Sequence, residues 1–141
     1  MTKSSNNLKK KIIDEMTIDH SNTLENSFEI AKQFIRVTRS GSVSIIGESD
    51  VSAKDMITLY LIGKLYAAEA ELSDYNAVES AELESELRLA SGTIKSALKR
   101  LRDNHIIEST KVDGETRHKI RLSHLDKELD KYQSKYKDSG E

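Results

Sequence analysis

The 141-residue chain contains no cysteine, no proline and no tryptophan, and only two of its residues are phenylalanine. Without cysteine there are neither disulfides nor thiolate metal ligands, which fits a reducing compartment, and the expected location is cytoplasmic. No stretch approaches the roughly 18 apolar residues of a membrane span, and no apolar signal-peptide core follows the basic N-terminus. The sequence therefore predicts a protein that is neither secreted nor membrane-spanning.

Hydrophobic residues make up 36% of the chain and charged residues 33%. This balance is typical of a small helix-rich protein with a core of Leu, Ile, Val and Ala, rather than of an enzyme that encloses a large apolar pocket. We therefore expect no enzymatic activity and no cofactor. The four histidines, His20, His105, His118 and His124, show neither HxxxH nor HExxH spacing, so no metal site is predicted.

Charge is distributed unevenly along the chain, although its net charge is only -2. Residues 48–87 contain ten acidic and two basic residues, whereas residues 88–121 contain nine basic and four acidic residues. Because exposed charges are screened beyond roughly 8 to 10 Å, a partner responds to these local charges rather than to the total. The basic segment is thus the predicted contact for a polyanion.

The N-terminal third is predicted to hold an arm and one helix. Residues 1–21 are polar and basic, and we expect a flexible arm with at most a short amphipathic turn. Residues 22–48 form the next unit, in which an amphipathic helix runs to Val37 and a short strand follows at 43–46. The strand needs a pairing partner from elsewhere in the chain. The helix places on one face Leu24, Phe28, Ala31 and Ile35.

A domain at residues 49–122 is predicted to follow, built around a buried helix that Ser52 caps. Gly63 in that helix indicates a close helix crossing, and residues 72–78 read as a loop. The domain then continues with a short helix at 79–87 and a break at 88–90. These are followed by a second helix at 91–104, capped by Ser91, and by a hairpin at 106–122. Inward positions of the second helix are Ile94, Ala97, Leu98 and Leu101.

The last unit, residues 123–141, is predicted to be a C-terminal helix with a polar tail, capped by Ser123. Its apolar residues recur at intervals of three and four, the seam of a helix that packs on another helix. We expect the partner to be the N-terminal helix, either of the same chain or of a second copy, and a homodimer through the terminal helices is predicted. The seam comprises Leu122, Leu125, Leu129, Tyr132 and Tyr136.

The segment AELESELRLASGTIKSALKRLRDNHII resembles the winged helix-turn-helix core of many bacterial and archaeal transcription regulators, and the resemblance covers roughly residues 52–122. It implies an α+β, mostly helical fold, here extended by helices at both ends. The chain departs from the family pattern at Glu84, where a small residue is usual, and at Arg88, where glycine is usual. A third departure is Asn104-His105, which takes the place of the glycine usual after the recognition helix, and the asparagine is expected to tolerate a left-handed backbone.

By this resemblance the chain would bind double-stranded DNA, as a transcriptional regulator, with helix 91–104 in the major groove and the wing at 106–122 on the backbone. Thr93, Lys95, Ser96 and Lys99 are the expected groove contacts, and Arg100 and Arg102 the expected phosphate contacts. Candidates around the turn and wing are Arg88, Ser91, Lys111, Arg117, His118 and Lys119. The alternative is a winged-helix adaptor that binds a protein through the acidic surface at 69–86 or through its terminal helices.

Overall fold

The computed structural model describes residues 2–16, 22–47 and 51–136, with side chains from residue 7 onward. Three parts of the chain that the sequence analysis discusses lie outside the described residues. They are His20, residues 48–50 before the helix capped by Ser52, and the predicted polar tail after residue 136. Over these ranges the fold is α+β and mostly helical, with two separate two-stranded antiparallel sheets. None of the helices in them combines the length and the apolar character that crossing a bilayer requires.

The N-terminal arm is helical where the structure describes it. Helix α1 spans Thr2–Lys11, and a π-helical turn continues it over Ile12–Met16. Three lysines occupy the last turn of α1, where cations interact favourably with the helix dipole and where their own helix propensity is high. The arm thus contains more helix than predicted, although the side chains of residues 7–16 are all exposed.

Helix α2 spans Thr23–Phe34 and directs Ser27, Ala31 and Phe34 inward. The predicted helix was three residues too long, because Ile35 takes an extended conformation with φ -131° and ψ 140°. β-Branched residues are well suited to a strand at this point. Of the face predicted to point inward, Ala31 and Ile35 are buried, but Phe28 is 49% exposed, so the prediction is wrong at Phe28.

Strands β1, Ile35–Val37, and β2, Val43–Ile45, form an antiparallel hairpin. The strand predicted at 43–46 is confirmed at Val43–Ile45, and its partner is Ile35–Val37, which had been predicted as the end of a helix. A tight turn brings the two strands together, and in it the Thr38 N–H donates to the Ser42 carbonyl over 2.9 Å. The hairpin packs on the helix that follows.

Helix α3, Ala53–Glu69, is the central element of the core. The predicted cap is confirmed, because the Ser52 hydroxyl accepts from the Asp55 N–H over 3.2 Å. Gly63 does mark a close approach, but to the β1–β2 hairpin rather than to a helix. A Cβ atom at Gly63 would lie 2.5 Å from a Val43 methyl group. Fully buried side chains of α3 include Ile57, Leu59, Leu61 and Ile62.

Two short helices and a second hairpin follow α3. They are α4, Ser80–Leu87, α5, Ser91–Asp103, β3, Ile107–Val112, and β4, Glu115–Ile120. Strands β3 and β4 pair antiparallel over their whole length. In the segment predicted as a loop, Val78 forms a bridge to His118 of β4, so the hairpin is joined to the chain just before α4.

Helix α6, Leu122–Tyr136, packs against α2 of the same chain. It begins one residue before the predicted cap, so Ser123 lies within the helix. The predicted seam is confirmed at its centre, where Leu125 and Leu129 are fully buried. Tyr132 meets Phe34 of α2 edge-on, with ring centroids 6.5 Å apart.

Polar contacts hold both ends of α6. Near its start, the Ser27 hydroxyl of α2 donates to the Asp126 carboxylate. Near its end, Lys135 and the Tyr136 hydroxyl both donate to Asp55 in the first turn of α3, the lysine over 2.9 Å. Asp55 is desolvated by burial, yet these two donors and Lys135's charge hold the pKa of its carboxyl below the ordinary value. Helix α6 is therefore fastened to both α2 and α3.

Candidate nucleic-acid interface

A left-handed residue joins α4 to α5. Arg88 has φ 56° and ψ 42°, the conformation that glycine usually supplies after a helix. The predicted break is confirmed, and the Arg88 side chain is exposed. The predicted cap is wrong: Ala90 occupies the N-cap position, no side chain caps α5, and Ser91 is its first residue. The exposed Ser91 side chain therefore stands at the start of the helix.

The inner side of α5 is the one predicted. Ile94 and Leu101 are fully buried and Leu98 is 2% exposed, which fixes the rotation of the helix about its axis. The left-handed residue after the helix is His105, with φ 60°, rather than Asn104. Hydrogen bonds from His105 and Ile106 back to the last turn then lead the chain into β3.

The outer side of α5 carries donors and cations along its whole length. Its last turn also holds the one acidic residue of the helix, Asp103, whose carboxylate lies 3.2 Å from the Lys99 ammonium. Both of these side chains are largely exposed, so the pair contributes little to stability. All the residues predicted on this side are exposed: Thr93, Lys95, Ser96, Lys99, Arg100 and Arg102.

The β3–β4 hairpin closes with the predicted turn. Asp113 and Gly114 both have positive φ, at 53° and 82°, as a two-residue type I′ connection requires. Lys111 on β3 is exposed, and Lys119 on β4 is half-buried and lies opposite Glu108. These two lysines remain accessible cations on the hairpin.

His118 does not belong with them, because its side chain is 3% exposed. Its Nδ1 lies 2.6 Å from the Ser109 hydroxyl and its Nε2 lies 3.3 Å from the Ser80 hydroxyl. Burial, together with the nearby charge of Arg102, lowers the pKa of His118 below the ordinary value. The predicted nucleic-acid contact is therefore wrong. Strand alternation could have shown this, since His118 shares its face with buried Ile120.

Arg117 is also engaged within the protein. Its guanidinium lies over the Tyr75 ring and within 3.7 Å of the Glu79 carboxylate and 3.9 Å of the Glu115 carboxylate. The side chain is 18% exposed. A phosphate would have to displace both acids, so Arg117 is not available for the nucleic-acid contact that was predicted for it. No sequence pattern indicated that Tyr75 would cover it.

One cation near α5 was missed by the sequence. Lys54 of α3 lines an open groove of about 430 Å³ together with one flank of α5, from Gly92 to Arg100. It lies far from α5 in sequence, and only the packing of α3 against α5 brings it there. From α5 the groove receives Gly92, Thr93, Ser96 and Arg100. Two cations and two hydroxyls thus face one concave surface.

The acidic segment is less available than the sequence suggested. Glu82 accepts from the Tyr60 hydroxyl and lies 3.1 Å from the nearly buried Lys64 ammonium. A hydrogen bond with Glu115 raises the pKa of the Glu79 carboxyl. The same carboxylate also lies 3.7 Å from the Arg117 guanidinium. Of the acids in the adaptor surface predicted at 69–86, Glu69, Glu71, Asp74 and Glu86 remain exposed.

In the ranges that the structure describes, no three His, Asp or Glu side chains are grouped so that they could bind a metal ion.

Comparisons with protein-family models, with curated proteins and with solved structures give no match to this chain.

Proposed function

We propose that residues 53–120 form a winged helix that binds double-stranded DNA, with α5 in the major groove and the β3–β4 hairpin on the adjacent backbone. The order α3, α4, α5, hairpin supports this reading, as does the three-residue turn between α4 and α5. The observation that carries the proposal is the outer side of α5, where four cations and three hydroxyl side chains are exposed opposite a fully buried apolar side.

Electrostatics favours DNA over other partners for this surface. Binding to duplex DNA is dominated by lysine and arginine contacts to phosphates, while hydroxyl and amine groups read base edges in the groove. Lys95, Lys99 and Arg102 lie on one flank of α5, and Arg100 faces Lys54 on the other. Lys111 and Lys119 extend the positive surface onto the hairpin. The arrangement suits a helix inserted between two phosphate backbones.

The role would be transcriptional regulation in the cytoplasm, which follows from the family resemblance and from the reducing compartment that the lack of cysteine favours. The adaptor alternative is narrowed, because Glu79 and Glu82 are engaged in ion pairs within the chain, whereas the other exposed acids at 69–86 are Glu69, Glu71, Asp74 and Glu86. A homodimer through the C-terminal seam also loses its basis, since α6 packs on α2 of its own chain. Two half-sites would require a dimer built on another surface.

The test is a salt titration of duplex binding, followed by fluorescence anisotropy. If about five phosphates are contacted, log affinity falls with log salt at a slope of about -4 to -5. Arg100→Ala and Arg102→Ala, at the two expected phosphate contacts, should each reduce the magnitude of the slope by about 1. The matched control is Lys127→Ala, which removes an exposed cation from α6 and should leave the slope unchanged.

Absence of binding at low salt would overturn the proposal. So would an equal loss of affinity in Lys127→Ala, because that result would assign binding to net charge rather than to the α5 surface. The circular dichroism spectrum of each variant checks that folding is intact, which is expected because all three lysine and arginine side chains are exposed.

A further inference from the structure

A second surface, unrelated to α5, carries exposed apolar side chains. An open groove of about 360 Å³ lies between α2, β1 and α3, lined by the apolar side chains of Phe28, Ala31, Ile35, Val37 and Tyr66. We call it the Phe28 groove. The Phe28 ring is 49% exposed and lies 6.4 Å from the Tyr66 ring. Tyr66 is held in place because its hydroxyl donates to the Leu24 carbonyl over 2.6 Å.

The two ends of the Phe28 groove differ in charge. Glu25 and Glu69 line its extension towards the start of α2. Arg36 and Lys32 line the opposite end, where β1 begins. Lys32 is paired with Glu29 over 2.7 Å. Within the described ranges, the charges without an ion-pair partner are therefore the two acids at one end and Arg36 at the other. A ligand that fits must be apolar along its length, basic at one end and acidic at the other.

The N-terminal arm has this pattern. Leu8, Ile12 and Met16 recur every fourth residue, and they are 59%, 40% and 76% exposed. Three consecutive lysines, residues 9–11, precede the π-helical turn, and Asp14 and Glu15 lie within it. A helix of this kind binds an apolar groove through residues one turn apart.

We propose that the arm of one copy, residues 7–16, docks in the Phe28 groove of a second copy, and that the exchange is reciprocal. Lysines 9–11 then lie at the Glu25 and Glu69 end, and Asp14 and Glu15 lie at the Arg36 end. The arm therefore runs parallel to α2. Each copy offers one arm and one groove, so a two-fold dimer covers both pairs of exposed apolar surfaces with the same contact made twice.

Chain length argues against docking in the groove of the same copy. In the parallel orientation Met16 lies beside Arg36, and the six residues 17–22 must return the chain from there to Thr23. Their seven Cα–Cα steps span at most about 25 Å. The return path covers the length of α2, about 18 Å for its 12 residues, and two strand residues of about 7 Å more. A helix separation of about 8 to 10 Å lies across this path, so the ends are about 26 to 27 Å apart, which is beyond the fully extended chain.

The first test is the oligomeric state of the full chain, measured by sedimentation velocity over a range of concentrations. The wild-type chain is expected to dimerise, and Ile12→Asp should raise the dimer dissociation constant by about tenfold or more, since a charge replaces an apolar contact in each groove. Ile46→Asp is the matched control, because Ile46 is 44% exposed against 40% for Ile12 and lies outside the groove.

The second test is complementation by charge reversal. An arm variant, Lys9→Glu with Lys10→Glu and Lys11→Glu, and a groove variant, Glu25→Lys with Glu69→Lys, should each be monomeric where the wild type is dimeric. Mixed in equal amounts they should form a heterodimer, because each arm then meets a groove end of opposite charge. All five substituted residues are exposed, and circular dichroism checks that the variants fold.

Three outcomes overturn the proposal: a wild-type chain that is monomeric at every concentration, an Ile12→Asp variant that dimerises as the wild type does, and a mixture that stays monomeric. Arm amides protected from hydrogen exchange in a monomer would instead assign the groove to the arm of the same copy. Both tests measure the oligomeric state and neither measures DNA binding, so the results do not depend on the role of α5.

Discussion

Arg117 places its guanidinium carbon 4.3 Å from the centroid of the Tyr75 ring, and this contact fastens β4 to the segment before α4. The ring is itself 57% exposed, whereas the Arg117 side chain beside it is only 18% exposed. The backbone bridge between Val78 and His118 reinforces the same connection. The hairpin is thereby held next to α4 and α5 instead of projecting freely from them.

Replacing this arginine should affect stability rather than DNA binding. We expect Arg117→Ala to lower the free energy of unfolding by about 1 to 2 kcal/mol, because the cation of this cation–π contact is largely shielded from solvent. The salt dependence of duplex binding should not change. Lys119→Ala is the control on the same strand and should reduce the magnitude of the salt slope by about 1 without affecting stability. A reduced slope in Arg117→Ala would return that side chain to the interface.

Removing the one acidic residue of α5 should strengthen duplex binding. Asp103→Asn frees Lys99 from its ion pair and removes a negative charge from the proposed interface. Affinity at low salt should therefore rise about twofold, the factor that corresponds to an exposed pair of about 0.3 to 0.5 kcal/mol. Asp130→Asn on α6 removes the same charge from another exposed position. An equal gain in both variants would point to net charge and not to α5.

The buried imidazole of His118 predicts a pH dependence of stability. Its pKa is lowered in the folded protein, whereas the unfolded chain titrates near the ordinary value of 6.5. The unfolded state therefore binds the proton first, and the stability that neutral His118 contributes is complete above about pH 6.5 and is lost as the pH falls through the folded-state pKa. Urea unfolding on both sides of pH 6.5 should show a steeper loss for the wild type than for His118→Gln. The exposed residue His105, changed to Gln, should leave the wild-type slope intact.

Gly63 and Gly92 lie in helices and should respond oppositely to alanine. At Gly63 the new methyl group would lie 2.5 Å from one Val43 methyl and 3.0 Å from the other, and we expect the free energy of unfolding to fall by about 1 to 3 kcal/mol from overpacking. Gly92 has no atom within 4 Å of an added Cβ, so Gly92→Ala should raise stability by about 0.5 to 1 kcal/mol through helix propensity. Thermal unfolding of the two variants measures both. A neutral Gly63→Ala would mean that the β1–β2 hairpin moves away from α3 at little cost.

Periodicity predicted the parts of the fold in which one side of an element is buried. The spacing of Ile94, Leu98 and Leu101 gave the inner side of α5, and that of Leu125 and Leu129 gave the inner side of α6. The turn at Asp113 and Gly114 followed from local backbone preference, since few residues accept positive φ. In each case the determinant lies within a few residues of the feature.

Features set by distant contacts were not predictable in the same way. The sequence from Phe34 to Val37 suits a helix and a strand about equally, and pairing with β2 decides for the strand. Phe28 shares a helical period with Ala31, yet α6 packs on the side of Ser27 and Phe34 and leaves Phe28 exposed. Lys54 reaches the α5 groove only through the packing of α3 on α5.

The contact between α2 and α6 also bears on the order in which the chain folds. Ser27 and Asp126 are 99 positions apart, so the side of α2 that contains Phe34 has no partner until synthesis has passed α6. Contacts of such sequence separation slow folding, because a long loop must close before they form. The nascent chain would therefore hold α5 and the hairpin in place before α2 is covered, and during that interval its apolar side would be available to chaperones.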